Sequence, residues 1–181
     1  MIRPATLADA LAIARLHAEN WRTTYRGAYS DSFLDGNVYA NRERVWRERL
    51  VIPNERQAAF LAERNGALLG FVCAFGDHDP TWGTLIDNLH VAASERGTGL
   101  GRRLMDRAFE WSRTNYPSSG VYLWVLFNNT NAMRFYEHLG GRDVGGATKE
   151  APDGQPVDAR RYVWEAGAIP RLRPEGSMLN G

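Results

Sequence analysis

The chain contains a single cysteine, Cys73, so no internal disulfide can form, and it has no cluster of histidines and cysteines at metal-ligand spacing. A reducing compartment fits this economy, and no metal is expected. No window approaches the roughly 18 apolar residues that a membrane span needs, and the opening MIRPATLADA lacks the apolar run of a signal peptide. A soluble, cytoplasmic protein with no membrane partner is therefore expected. Neither sign of charge dominates, with 22 Lys and Arg against 21 Asp and Glu. Such a balance gives no footing for bulk binding of nucleic acid or another polyion. No internal repeat is evident. What is present is an ordinary globular composition, 44% hydrophobic and 24% charged over 181 residues. That length suits one domain with a real core.

Helix and strand patterns alternate along the chain. Met1 to Arg3 read as a short edge strand, and Thr6 with Asp9 three residues on makes a capping-box-like helix start. Leu7, Leu11, Ala14 and Ala18, with Ile13 and Leu16 beside them, give that helix a broad apolar face. A second helix, about Asn41 to Leu50, is rich in Arg and Glu. Gln57 to Arg64 and Ala67 to Phe75 are apolar runs separated by Asn65-Gly66, a dipeptide suited to positive φ at both positions, so they predict an antiparallel hairpin. Gly76 to Gly83 reads as a polar loop and Thr84 to Val91 as a strand. A helix follows to about Asn115, stopped by Pro117. Val121 to Phe127 is a strand, and Asn129 to Leu139 a helix ended by Gly140-Gly141. Strands near Arg142 to Glu150 and Val157 to Glu165 flank an Asp153-Gly154 turn. The order predicts an α/β protein with a mixed sheet and helices on both faces, one domain over residues 1–166. Positions 167–181 carry Pro, Gly and Arg without periodicity and predict a loosely ordered tail or a partner contact.

The stretch ERGTGLGRRLM, Glu95 to Met105, places three glycines within five positions at a strand-to-helix junction. Free amides of a first helical turn and the positive end of the helix dipole together favour an anion there. A dinucleotide fingerprint would need glycine where Arg102 stands, and a Walker loop would need Gly-Lys followed by Ser or Thr, whereas Gly101 precedes Arg102 and Arg103. What remains is Arg96, Gly99 and Gly101 in the pattern Arg-x-x-Gly-x-Gly.

That pattern resembles the pyrophosphate-binding loop of the GNAT superfamily of N-acetyltransferases. The surrounding LIDNLHVAASERGTGLGRRLM is similar to the family's strand, loop and helix, and YLWVLFNNTNAMRFYEHLGG to its second cofactor motif, with Asn129, Ala132, Tyr136 and Gly140 at the family's intervals. HAENWRTTYRGAYSDSFLD is similar to the entry helices of many bacterial members. Gly141 departs from the pattern, since the family more often carries an aromatic there. The resemblance implies the acyl-CoA N-acyltransferase fold, a central, mostly antiparallel mixed sheet flanked by helices. It implies acetyl-CoA as co-substrate, an amine acceptor that is a small molecule or a protein amino group, and a homodimer. It places the acetyl carbonyl and pantetheine arm on the main chain of Leu89, His90 and Val91. The pyrophosphate falls on Arg96, Gly97, Thr98, Gly99, Leu100 and Gly101, with Arg102 beside it. The pantetheine meets Asn129, Asn131 and Ala132, and the departing sulfur meets Tyr136. A non-catalytic acyl-CoA sensor of the same fold is the alternative.

Amine acetylation sets its own demands. The amine must shed a proton, its ordinary pKa being near ~10.4, the thioester oxygen becomes anionic during attack, and the leaving thiolate benefits from an acid. Tyr136 is the candidate acid, against a reading as a half-buried packing tyrosine. Asn129 also suits the cap of its helix. Arg102 and Arg103 either steer phosphate or lie on an exposed face, where Arg102 and Asp106 make an i, i+4 pair. Strict alternation puts Asp87 with Leu85, Leu89 and Val91, a carboxylate among apolar neighbours and so a candidate base with a raised pKa. His90, on the opposite face with Ile86 and Asn88, is the alternative base. Cys73 sits in LGFVCAF with no cationic neighbour, so direct attack is expected rather than a cysteine intermediate. For the acceptor, Asp77 and Asp79 are candidates to attract a cation, and Trp21, Tyr25 and Tyr29 to line its pocket.

Overall fold

In the computed structural model, which describes residues 1–52 and 54–171, Asn65 and Gly66 adopt φ of 52° and 76°. This turn joins β2 (Gln57–Arg64) to β3 (Ala67–Asp79) in an antiparallel hairpin. β1 (Ile2–Pro4) pairs with β2 at the sheet edge, and β4 (Gly83–Val91) returns antiparallel along β3. The helix α3 (Leu100–Asn115) then carries the chain to β5 (Val121–Leu126), which lies parallel to β4. After α4 (Thr130–His138), β6 (Arg142–Glu150) and β7 (Pro156–Trp164) complete a seven-stranded sheet in the order β1-β2-β3-β4-β5-β7-β6. Every pairing except β4 with β5 is antiparallel.

Helices cover both faces of the sheet, which is why β3 is apolar along its centre instead of alternating. Phe71 and Cys73 point to α1 (Ala10–Thr24) and α2 (Val38–Val51), packing with Ile13, Ala14 and Trp46. Val72 and Ala74 point the other way, into a larger core with Leu104 and Phe109 of α3 and with Leu123, Tyr162 and Trp164. Leu104 is fully buried, so truncation to alanine would cost about 2–5 kcal/mol.

The expected capping box is present: the Asp9 carboxylate accepts the Thr6 N–H at 2.8 Å. It opens a 3-10 turn, Leu7–Asp9, that leads into α1. The helix expected from Asn41 starts earlier, at Val38, after a wide turn over Phe33–Asn37. The polar loop expected from Gly76 is instead a continuation of β3 to Asp79, which pairs with Gly83. Gly76 to His78 form an irregular stretch between the pairs Phe75–Leu85 and Asp79–Gly83, with Asp77 at φ 44° and the Gly76 N–H donated to the Arg56 carbonyl at 2.7 Å. The family's aromatic after Gly140 is replaced by packing from elsewhere: a Cβ at Gly141 would lie 2.6 Å from Cζ2 of Trp164, which occupies that space and donates from Nε1 to the Leu139 carbonyl at 2.9 Å. Of the segment 167–171, Ile169 is buried in the core and Arg113 donates to the Pro170 carbonyl. Positions 172–181 lie outside the described residues.

Candidate active site

A β-bulge reorganises β4 at its midpoint. Ala74 faces Ile86 and Cys73 faces Asn88, leaving Asp87 as the extra residue. The strict alternation expected for this strand is therefore broken: Ile86, Leu89 and Val91 all pack toward the α3 core, and His90 turns to His17 and Phe71. Asp87 is consequently not surrounded by apolar side chains. Its carboxylate meets Arg49 of α2 at 2.7 Å, and the same guanidinium donates to Asn88 Oδ1 at 2.9 Å.

Beyond the bulge the two parallel strands part. Pairing of β4 with β5 ends at Ile86 and Leu123, although β4 runs on to Val91 and β5 to Leu126. The β4 main chain past Asp87 thus has no strand partner on its β5 side. Two cavities meet at this opening. One, of about 340 Å³, is walled by Trp21, Tyr25 and Tyr29 together with Arg42, Asp87, His90, Trp124, Asn129 and Lys149. The other, of about 500 Å³, is walled by Val91, Arg96, Gly97, Gly99, Gly101, Arg102, Asn131 and Phe135. Leu89, Ala132 and Tyr136 line both.

The second cavity is built on the start of α3. Gly99 caps that helix with φ 83°, a left-handed conformation that strains other residues. Gly101 has no such need. A Cβ there would stand 3.5 Å from Phe135 and 3.7 Å from Val91, ordinary contact distances, so packing does not require its glycine. The bare backbone instead leaves room beside the unpaired amides of the first turn, where an anion is favoured. Leu100 is buried in the core and offers only its main chain, while the Thr98 hydroxyl bonds the Glu95 carbonyl at 2.8 Å. Arg102 lines this cavity and makes the i, i+4 pair with Asp106, at 3.0 Å. Arg103 is exposed and is not among the cavity-lining residues. Asn129 is indeed a helix cap, accepting the Ala132 N–H at 3.2 Å, while lining the first cavity.

The titratable groups are tuned chiefly by burial. Tyr136, nearly buried, has its hydroxyl pKa pushed up by desolvation and then by Tyr25, so it is protonated at neutral pH. Tyr25 is raised to about 12, by burial and then by Asp87. Burial, with Arg42 and Arg96 adding to it, drives His90 down to about 3. His17, fully buried, is pushed well below its ordinary value by burial and then by His90, and its Nδ1 accepts from Trp46 Nε1 at 3.0 Å. Cys73 is fully buried within β3, with its thiol pushed up to about 12 by desolvation.

Three neighbours of the site escaped sequence reasoning. Asn20 of α1 donates to the Val91 carbonyl and accepts from Arg96, each at 3.1 Å, and so ties the loop before α3 to the opposite layer. Arg42 and Arg49 come from α2, read only as a charged helix. Their spacing around Trp46, four residues before and three after, marks a common face and was the available signal. Conversely, Asp77 and Asp79 are not among the residues lining either cavity. Asp77 accepts from the Ser119 hydroxyl, and Asp79 accepts the amides of Thr81 and Trp82 at 2.8 and 3.0 Å.

Among the described residues no helix is long and apolar enough to cross a membrane, and no group of three or more His, Cys, Asp or Glu is arranged to hold a metal. The model of the acetyltransferase (GNAT) family matches residues 15–141. Among curated proteins the chain is 28% identical over 148 residues to one of Mycobacterium tuberculosis named "Probable N-acetyltransferase Rv2775", covering 78% of this chain and 81% of that one. Among solved structures it resembles a mutant form of the spermidine N-acetyltransferase SpeG from Vibrio cholerae, with TM-score 0.66 at 22% identity over 92% of this chain and 95% of that one. It also resembles the PaiA N-acetyltransferase of Thermoplasma acidophilum in complex with coenzyme A, with TM-score 0.64 at 15% identity over 90% and 98%. The two structural likenesses speak for the fold, and the family match takes in β2 through β5 and every residue named for the second cavity. The chain belongs to the acetyltransferase (GNAT) family.

Proposed function

We propose that the protein transfers the acetyl group of acetyl-CoA to the amine of a small molecule or a protein amino group, by direct attack with both substrates bound. The observation that carries this reading is the meeting of two cavities at Leu89, Ala132 and Tyr136, where β4 and β5 part. One side has the anion-receiving start of α3 with Arg96 and Arg102, which suits a pyrophosphate. The other has an aromatic wall suited to an acceptor.

Bound acetyl-CoA supplies an activated thioester. The β4 main chain past Asp87 lacks a strand partner on that edge and offers amides to an oxygen that becomes anionic during attack. Asp87, on the acceptor cavity wall, is assigned the proton that the amine must lose. His90 is a poorer base, since burial drives its pKa to about 3. Tyr136, held protonated by burial, is assigned as proton donor to the leaving thiolate. Cys73, buried in the sheet with its thiol raised to about 12, is unsuited to carry an acetyl group.

The test is thiol release from acetyl-CoA against a panel of amines, run beside thermal shifts with acetyl-CoA, coenzyme A, NAD and ATP. Stabilisation by the two coenzyme A forms together with amine-dependent thiol release is expected. Stabilisation without turnover on any amine would leave a sensor, and stabilisation by NAD or ATP alone would overturn the loop assignment.

A further inference from the structure

Arg42 sits in the wall of the acceptor cavity and is 7% exposed. Its guanidinium lies over the Trp21 ring, 4.2 Å from the centroid. No carboxylate lies within ion-pair distance of it among the described residues. Its hydrogen bonds there go to a single acceptor, Asn41 Oδ1, from Nε and Nη2. A guanidinium has five N–H donors in a planar fork, so three are left without a protein acceptor. Stacking on Trp21 covers the face of the group and leaves its hydrogen-bonding edge available.

A buried cation without a counter-ion is costly, and proteins ordinarily pair it. Burial, then the nearby Arg49, lowers the pKa of Arg42 to about 10, with Tyr29 and Asp87 acting in the opposite direction and Arg44 reinforcing Arg49. Asp87 pairs with Arg49 at 2.7 Å and makes no ion pair with Arg42. The cavity wall also carries Lys149, the only lysine of the chain, with its ammonium 4.6 Å from the Trp124 ring centroid. Glu150 is the other acidic side chain lining it.

We propose that the acceptor is a small amine that also bears a carboxylate, as an amino acid does, and that Arg42 receives this carboxylate while the amine points to the opening between β4 and β5. The proposal rests on the acetyltransferase reading above and names the acceptor class for it. A planar fork matches a carboxylate with two parallel hydrogen bonds. The cavity volume of about 340 Å³ lies in the range of small-molecule sites. A polyamine, with cationic groups along its length, would instead set a positive charge against Arg42.

The experiment compares L-leucine, L-phenylalanine, L-glutamine and β-alanine with their carboxamides and with spermidine, by kcat/KM and by calorimetric binding in the presence of coenzyme A. At least one carboxylate member should exceed its amide by about tenfold or more, since an unpaired buried charge penalises the analogue. Arg42→Gln should erase that preference, and Arg42→Lys should keep part of it, while the thermal shift with coenzyme A stays unchanged in both. Equal use of acid and amide across the panel, or preference for spermidine, overturns the proposal on the wild-type protein, without reliance on either variant. Carboxylate-selective binding that Arg42→Gln abolishes, without turnover of any amine, would uphold the Arg42 site while refuting the transferase reading.

Discussion

Arg49 of α2 reaches the bulged residue of β4, holding Asp87 Oδ2 at 2.7 Å across the boundary between helix and sheet. The ion pair fixes the direction of the carboxylate and balances its charge. If Asp87 takes the amine proton, Asp87→Asn should lower kcat by about 10²-fold or more, the usual contribution of a positioned base. Thiol release at saturating amine, with a thermal melt as control for folding, checks this. An unchanged kcat would transfer the role to a water.

Tyr136 is raised above its ordinary pKa by burial and lines both cavities. Tyr136→Phe keeps the ring and removes the proton. The rate should fall by at least about tenfold, while coenzyme A affinity, read by calorimetry, stays near wild type. A rate equal to wild type would remove Tyr136 from the acid role.

Gly101 separates binding from stability. A Cβ at this position meets only ordinary contacts, and alanine is favoured over glycine inside a helix by up to about 1 kcal/mol. Gly101→Ala should therefore melt at or above the wild-type temperature and yet bind acetyl-CoA more weakly. Unweakened binding would mean that the pyrophosphate does not approach this backbone.

Acid should destabilise the fold well before its carboxylates titrate. An unfolded histidine takes up its proton near 6.5, whereas folded His90 does so only near 3. Buried His17 is shifted in the same direction. Between those values the unfolded state binds more protons, so stability is full above the upper value and falls with pH below it, by up to about 1.4 kcal/mol per pH unit for each histidine. Asp9, lowered from 3.8 to about 2 chiefly by its bond to Arg3, adds a further loss as the pH falls from 3.8 toward about 2. Urea midpoints between about pH 7 and about pH 4 check this, and His90→Phe should flatten the slope by roughly one proton. A wild-type slope retained in that variant would refute the assignment.

The hairpin at Asn65-Gly66, the glycine turn before α3, the cap at Asn129 and the bounds of β2 and β6 were legible in the chain because each depends on residues within one turn or one strand. Periodicity and positive φ act locally, so short windows suffice to read them. The walls of the cavity at the start of α3 were legible for the same reason: Val91 through Arg102 is one strand-turn-helix unit. The extension of β3 past Phe75 was not, since it depends on the pairing of Asp79 with Gly83 across an irregular stretch of polar residues.

The acceptor side obeys different physics. The bulge at Asp87 arises from registering β4 against β3, and a shift of one residue reverses which face each later side chain takes. Arg42, Arg49 and Asn20 reach the site from α1 and α2, elements that precede β4 with the β2–β3 hairpin between them, through helix packing that no local pattern encodes. Asp77 and Asp79, near Asp87 in sequence, are bonded instead to Ser119 and to the turn amides of Thr81 and Trp82. Local chemistry in the sequence specified most strands and helices and the glycine turn before α3, while strand register and the docking of α1 and α2 chose which charges face the cavity walled by Trp21, Tyr25 and Tyr29.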